Sequence, residues 1–313
     1  MKILLLGKNG QLGRELQRSL APLGELIALD RHCQDFCGDL TNLQGLAATV
    51  QAERPDPIIN TAAYTAVDKA ESEPELARTI NALAPDILVQ EAQKPGAWLV
   101  HYSTDDVFDG IGSQPWQETD TPAPLNVYGQ TKRKGEQLIA TRCSRHLIFR
   151  TSRVYAARGG NFAQTMLRLA HQRERLTVID HRFGAPTGTE LLADVTAHAI
   201  RQVVGRQQSY PKPAGIYHLA AIGDTTSNMH AKHMITLAER AQPTIKILVK
   251  EVACVAASAF FTPAQRPHKS SLNTAKLHAT FGLKLAAWQQ GVTECWLKFY
   301  KYKSYKNSLH DAN

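Results

Sequence analysis

Lys2-Ile3-Leu4-Leu5-Leu6-Gly7-Lys8-Asn9-Gly10-Gln11-Leu12-Gly13 opens the chain with an apolar run that halts at the first of three glycines spaced three apart. The run predicts a buried strand, the glycines a tight turn, and the periodicity of Gln11 to Leu20 a helix. Glycines let a backbone come close to a pyrophosphate, and a helix N-terminus receives its negative charge. Gly7, Gly10, Gln11, Leu12 and Gly13 are therefore candidate cofactor-binding residues.

Working outward, Glu25 to Leu29 reads as a second strand that ends in Asp30. An acid there suits the hydroxyls of an adenosine ribose and favours NADH. Arg31 and His32 beside it suit a 2′-phosphate, so NADPH or NADH both remain open. Asp39 and Leu40 are placed to meet the adenine ring. Pro57 to Asn60 is a third strand, and Ala62, Ala63, Tyr64 and Thr65 follow it past the phosphates and the nicotinamide ribose. Helical periodicity covers residues 43–52, 74–93 and 127–140, with strands at 97–102 and 146–150. Strands that alternate with helices predict an α/β fold, a Rossmann-like doubly wound parallel sheet. Beyond residue 155 the alternation loosens, with helices near 161–172 and 191–204 and strands near 176–179 and 216–219. We expect a dinucleotide-binding domain over 1–155, a smaller substrate-binding lobe over 156–300 that sends one or two strands back to the main sheet, and a basic tail over 301–313.

Tyr128 and Lys132 stand four apart, on one face of the predicted helix. A free tyrosine titrates near about 10, and a neighbouring ammonium favours its phenolate. Such a pair moves protons on and off a sugar or alcohol oxygen, while the lysine also holds ribose hydroxyls. Ser103-Thr104-Asp105 ends the strand of 97–102, where sheets of this kind bind ligands. Thr104, Tyr128 and Lys132 are the expected catalytic triad, with Tyr102, Tyr128 and Lys132 also beside the cofactor.

The 313 residues carry a net charge of +8 and 43% hydrophobic residues, ordinary for a chain with a large core. No apolar run approaches the roughly 20 residues of a membrane span. The first apolar stretch is too short for a signal peptide, so a cytoplasmic location is expected. The charge suits anionic ligands and is mild for a nucleic-acid binder; much of it lies in Lys298, Lys301, Lys303 and Lys306. Cys33, Cys37, Cys143, Cys254 and Cys295 are odd in number and scattered, which fits reduced thiols, and His32, Cys33 and Cys37 lack a second cluster at zinc spacing.

Together the motifs resemble the dTDP-4-dehydrorhamnose reductase family, of the extended short-chain dehydrogenase/reductase group, over nearly the whole length. The carriers are Gly7 to Gly13, Thr61-Ala62-Ala63-Tyr64-Thr65-Ala66-Val67-Asp68-Lys69-Ala70-Glu71, His101 to Asp105, Pro124 to Gly129, Phe183-Gly184-Ala185-Pro186-Thr187 and Arg266-Pro267. The resemblance implies NAD(P)H-dependent reduction of the C4 ketone of a dTDP-linked keto-sugar for a surface polysaccharide such as lipopolysaccharide. It implies Tyr128 as proton donor, Thr104 on the carbonyl and Asp105 on the sugar. It also implies a homodimer, without nucleic acid or membrane. A magnesium ion held by glutamates occurs in some members; Glu15 and Glu190 match, no third ligand is placed, and hydride chemistry needs none.

Departures cluster around the sugar. Asp106 and Arg153 stand where the family has tyrosine and tryptophan, His181-Arg182 where it has Asp-Gln, Ser227 for another tryptophan, and Lys269-Ser270-Ser271 for Asn-Ser-Arg. Aromatic faces suit sugars, so Asp106 and Arg153 join Thr104 and Asp105 as substrate-binding candidates in a more polar pocket. A different keto-deoxysugar, such as a dihydrostreptose-like precursor, is the alternative substrate. Thr104-Asp105-Asp106 also resembles the Thr-Asp-Glu of nucleotide-sugar dehydratases. A non-catalytic homologue, like the regulatory subunit of methionine adenosyltransferase, is a third reading that the intact triad disfavours.

Overall fold

The computed structural model describes residues 1–179, 183–205, 213–241, 247–255 and 262–298; His181, Arg182 and the 301–313 tail lie outside them. Six parallel strands form the main sheet: β1 (Lys2–Leu6), β2 (Glu25–Leu29), β3 (Pro57–Asn60), β4 (Trp98–Thr104), β5 (His146–Thr151) and β10 (Gly215–His218), in the order β10-β5-β4-β3-β1-β2. The chain leaves β1 for β2 on one side and returns to β3 on the other. That reversal opens a crevice at the C-terminal ends of β1 and β3, the usual ligand position in such sheets.

Alternation along each strand explains why both faces are covered. Ile3, Leu5, Ile59, Val100, Tyr102, Leu147 and Phe149 face one helical layer: α1 (Gln11–Leu20), α8 (Thr189–Gly205) and α10 (Ala275–Phe281). Leu4, Leu6, Ile58, Leu99 and Ile148 face the other: α2 (Leu43–Glu53), α5 (Ala84–Gln93) and α6 (Val127–Arg142). Each face is apolar, so the strands read as near-continuous hydrophobic runs.

The helix expected over 74–93 is continuous but widens in its middle. It comprises α4 (Pro74–Arg78), a π-helical turn at Thr79–Leu83, and α5, which begins beside Pro85. Proline lacks the N–H that would continue the ladder, and the wider turn brings Asn81 inward. A short helix, α3 (Val67–Ala70), precedes it.

The remaining elements form the smaller side of the molecule. They are strands β6 (Val154–Tyr155), β7 (Arg175–Ile179), β8 (Phe183–Gly184), β9 (Thr187–Gly188), β11 (Thr225–Thr226) and β12 (Glu251–Val255), with α7 (Phe162–Ala170), α9 (Ser227–Ala241) and a last helix over 288–298. They pair two by two, β7 with β12, β8 with β11 and β6 with β9. Trp288, Val292 and Trp296, four apart, bury one face of the last helix against Leu167 of α7 and Met234 of α9. One strand from this part of the chain, β10, lies in the main sheet beside β5.

Candidate active site

The turn after β1 is closed by its own backbone. Gly10 N–H donates to Gly7 O at 3.0 Å, and the N–H groups of Gly7 and Lys8 donate to Leu29 O at 2.8 and 3.0 Å, tying the turn to the end of β2. Gly7 has φ +89°, and a methyl there would lie 2.6 Å from Thr61 Oγ1; a methyl on Gly13 would lie 2.1 Å from Gly7 O. No side chain caps α1 and its first turn carries no acid, so the positive end of the helix is left for an anion. Gln11 reaches the Gly160 carbonyl at 3.4 Å, and its own Oε1 is buried without a protein partner. A glycine cradle, an uncapped helix end and an orphaned acceptor all suit a dinucleotide.

At the adenosine end, Asp30 Oδ1 accepts from the His32 main chain at 2.8 Å and Oδ2 from Asn9. The His32 N–H and the Lys8 ammonium hold its carboxyl below the usual range despite some desolvation. Lys8 Nζ lies 4.0 Å from Asp30 and donates to Cys33 Sγ at 3.1 Å, while Arg31 Nε donates to His32. Asp39 Oδ1 accepts the Thr41 N–H at 2.9 Å. Leu40 is buried with Leu29, Leu46 and Val50 under the sheet, in the core rather than on an open adenine face.

The segment after β3 runs beside the turn. Thr61 Oγ1 donates to Leu6 O at 2.7 Å, and the Ala62 N–H to Asn60 Oδ1 at 3.2 Å. Ala63 lies between these anchors and Tyr64, which precedes Thr65. The Tyr64 main chain is gripped at both ends by Asn81, whose Oδ1 accepts from Tyr64 N at 2.9 Å and whose Nδ2 donates to Tyr64 O at 3.1 Å. Asn81 Nδ2 also reaches Thr131 Oγ1, which donates to the Tyr128 carbonyl at 2.9 Å. The phenol of Tyr64 donates to Glu73 at 2.6 Å. Sequence reading passed over Asn81; a lone amide inside an apolar helical run was its signal.

Helix α6 is seated by three devices. Asn126 Oδ1 accepts from Gly129 N at 2.7 Å as an N-cap, Glu71 Oε1 accepts from Val127 N at 2.9 Å, and a methyl on Gly129 would lie 2.3 Å from Asp106 O. Deeper in the helix, Glu136 receives buried Arg150 of β5 through Nε at 2.8 Å and Nη2 at 2.7 Å. That bidentate pair locks α6 onto the sheet. Neither Glu136 nor Arg150 was marked by the sequence, because both look like ordinary helix-surface and strand-end charges.

These supports bring the expected triad together. The Thr104 hydroxyl acts on the Tyr128 phenol, favouring its ionised form. Thr104 Oγ1 accepts from Asp106 N at 3.1 Å and donates to Asp105 Oδ1 at 3.2 Å. Lys132 is 2% exposed; its Nζ donates to the Tyr102 carbonyl at 2.6 Å and meets His101 Nε2 at 3.1 Å. Tyr102 thus contributes its carbonyl here. Its ring packs in the core, and its hydroxyl lies 2.6 Å from Thr196 Oγ1.

The electrostatics run against the expected lowering of the Tyr128 phenol by its lysine neighbour. Desolvation pushes the Tyr128 phenol above its ordinary range, Asp106 and Asp105 push it further, and only the Thr104 hydrogen bond opposes them. Burial brings the Lys132 amine down to about 8 against the opposite pull of Glu136. Asp105 is buried. Desolvation raises its carboxyl, although hydrogen bonds from Ser270 and from Ser152 Oγ at 2.7 Å, together with nearby Arg153, draw it back down. It therefore stands behind Thr104. Asp106 is half-buried and accepts from Asn126 Nδ2 at 3.3 Å. Arg153, in a left-handed backbone conformation with φ +44°, donates from Nη1 to Thr225 O at 3.2 Å.

A strap over 262–273 closes this side. Arg266 binds Asp68 through Nη1 at 2.8 Å and Nη2 at 2.6 Å, and the Gln265 carbonyl accepts from Asn126 Nδ2 at 2.8 Å. Trp116 Nε1 donates to Lys269 O at 3.1 Å.

Glu15 and Glu190 are each paired with a cation, Glu15 with Arg18 Nε at 3.4 Å and Glu190 with Lys298. Among the described residues no group of three His, Cys, Asp or Glu side chains is placed to hold a metal. The described cysteines are free, and no described helix is long and apolar enough to cross a membrane.

Residues 1–301 match the family model described as RmlD substrate binding domain. The chain is 55% identical over 292 residues to the dTDP-4-dehydrorhamnose reductase of Escherichia coli K12, covering 93% of this chain and 96% of that protein. Its fold is similar to that of the Clostridium acetobutylicum dTDP-4-dehydrorhamnose reductase, with TM-score 0.85 and 35% identity over 94% of this chain and 98% of that one. The Bacillus anthracis dTDP-4-dehydrorhamnose reductase, solved in complex with NADP, gives TM-score 0.83 at 32% identity over 95% and 99% of the two chains.

Proposed function

We propose roles for these residues from one premise: the chain belongs to the RmlD substrate binding domain family, that of the dTDP-4-dehydrorhamnose reductases. It is an NAD(P)H-dependent oxidoreductase that reduces the C4 ketone of dTDP-4-dehydro-L-rhamnose to dTDP-L-rhamnose. The reduced nicotinamide supplies the hydride. Tyr128 gives its phenolic proton to the C4 oxygen, and Thr104 holds that oxygen through its hydroxyl. Lys132, anchored on the Tyr102 carbonyl, binds the ribose hydroxyls. Gly7 to Gly13 and the N-terminus of α1 receive the pyrophosphate, with Gln11 closing over it.

The observation that supports these roles is Thr104, at the C-terminal end of β4, acting on the Tyr128 phenol of α6, the helix that buries Lys132. Residues 1–155 then serve the cofactor and 156–300 shape the sugar pocket. Asp30 is already engaged by Asn9 and His32, with Lys8 and Arg31 beside it. That favours acceptance of the 2′-phosphate of NADPH alongside NADH. Asp105 orients Thr104, while Asp106 and Arg153 line the substrate side. The family resemblance extends the reading to a homodimer in the cytoplasm, on a route to a surface polysaccharide.

A dehydratase use of Asp105 is disfavoured, because Thr104, Ser152 and Ser270 already occupy that buried carboxylate. A different keto-deoxysugar is favoured by one observation, the guanidinium of Arg153 beside Asp105 where the family presents an aromatic ring. Loss of NADPH or NADH absorbance with dTDP-4-dehydrorhamnose tests the assignment. Turnover that Tyr128→Phe abolishes supports it. Cofactor binding without turnover moves the reaction to another nucleotide keto-sugar.

A further inference from the structure

Outside the proposed triad, three helices bring acids and bases to one place. Glu15 and Arg18 stand on α1, Glu190 and Asp194 on the first turns of α8, and Lys298 at the end of the helix over 288–298. Lys298 and Glu190, 108 positions apart, form an ion pair. The Cys295 thiol, one turn before Lys298, registers the same convergence. Burial and then Glu190 push it up to about 12, Lys298 opposes them, and Glu15 adds to them.

The resemblance to the reductases raised a magnesium ion at Glu15 and Glu190. Magnesium takes oxygen ligands in an octahedral array, so its carboxylates must turn toward it rather than toward a fixed cation. Here each carboxylate is already engaged. Glu190 Oε2 accepts from the Lys298 ammonium. Glu15 Oε2 accepts from Arg18 Nε at 3.4 Å. Asp194 Oδ1 accepts from Arg18 Nη2 at 2.8 Å and from Ser19 Oγ at 2.6 Å. Glu294, on the helix of Lys298, accepts from Gln290 Nε2 at 3.0 Å.

An ammonium is a compact point charge, and this one acts with both glutamates. The Glu190 hydrogen bond comes first, followed by the charges of Glu190 and Glu15; together they hold Lys298 above its ordinary range against desolvation and Arg18. A divalent ion bridging the same two carboxylates would meet that charge at close range, and like charges repel strongly where water is partly excluded.

We propose that Lys298 is a built-in counter-ion: its ammonium stands where a divalent cation would join Glu190 to Glu15, and the chain closes this junction of three helices without metal. A side chain thus replaces a ligand from solution, and the junction becomes insensitive to the supply of divalent ions. The inference goes beyond the reductase reading and does not rest on it, since none of these residues belongs to the proposed triad or the glycine turn.

The experiment uses the full chain, treated with EDTA and free of cofactor and sugar, with Mn2+ as a spin-visible substitute for Mg2+. Electron paramagnetic resonance reads the free Mn2+. Calorimetry reads Tm in Mg2+ against KCl of equal ionic strength. The expected wild-type result is no Mn2+ site that Glu190→Gln removes, and one Tm in both salts. Lys298→Glu puts a third carboxylate in place of the ammonium. It should bind Mn2+ about tenfold tighter than the wild type or better, and lose that gain when combined with Glu190→Gln. It should also recover in Mg2+ the Tm that it loses in KCl. A wild-type Mn2+ site abolished by Glu190→Gln overturns the proposal, and so does a folded Lys298→Glu that gains no site. If Lys298→Glu does not fold, the comparison of wild type with Glu190→Gln decides by itself. Turnover with dTDP-4-dehydrorhamnose, present or absent, bears on the reductase reading and leaves this result standing.

Discussion

The cofactor turn and the sugar side of the cleft are built in opposite ways. The turn is one stretch, Gly7 to Gly13, held by its own backbone, and a methyl on Gly13 would collide with Gly7 O at 2.1 Å. The sugar side is assembled from side chains far apart in the chain: Asp105 meets Ser152 across 47 positions, and Arg153 meets Thr225 across 72. A backbone-defined turn has no slack for substitution. A pocket of separate side chains can change one residue at a time. The departures from the family pattern, Asp106, Arg153 and Ser227, accordingly fall on the assembled side, while the turn and the triad are intact.

That contrast can be broken or sharpened by substitution. Tyr128→Phe sits where the two regions meet and should lower kcat by roughly a hundred- to ten-thousandfold, with NADPH affinity retained; steady-state kinetics beside a binding titration checks it. Glu136→Gln leaves the buried Arg150 without its carboxylate partner and should cost about 3–5 kcal/mol of stability, a fall of roughly 10 °C in Tm by calorimetry. Gly13→Ala overpacks the turn by roughly 1–3 kcal/mol and should weaken NADPH and NADH alike, read by fluorescence titration. If only one cofactor suffers, the turn does not hold the shared pyrophosphate. Arg31→Ala should raise the KM for NADPH by about tenfold through loss of one charged hydrogen bond, leaving NADH nearly unchanged. The smallest effect is expected from Arg153→Trp: a change of a few-fold in the sugar KM with cofactor affinity unmoved. A large shift in cofactor binding there would erase the distinction between the two regions.

Much of the main sheet was legible in advance, because a parallel strand buried on both faces is a nearly continuous apolar run. Lys2–Leu6, Glu25–Leu29 and Pro57–Asn60 were read with their observed bounds. The helix over 74–93 was legible, but its π turn at Thr79–Leu83, just before Pro85, was not, since the apolar pattern carries across it. In the second half, α9, β12, α10 and the helix over 288–298 went unread, their signals being short and broken by polar positions. The proposed triad was legible through spacing. Its supports, Asn81, Glu136 and Arg150, were not, because each gains its meaning from a partner on another element.

The sequence by itself determined the alternation of strands and helices in the first half, the glycine cradle and the candidates Thr104, Tyr128 and Lys132, for these follow from local periodicity and from residue types at fixed spacing. Only the tertiary structure decided their protonation and orientation. Four apart on a helix, Tyr128 and Lys132 suggest a phenolate beside an ammonium. In the fold, desolvation and the carboxylates Asp106 and Asp105 keep the phenol protonated, and burial draws the lysine toward its amine. The physical reason is that a charge state depends on the water removed and the partners supplied, and both come from strands and loops distant in sequence.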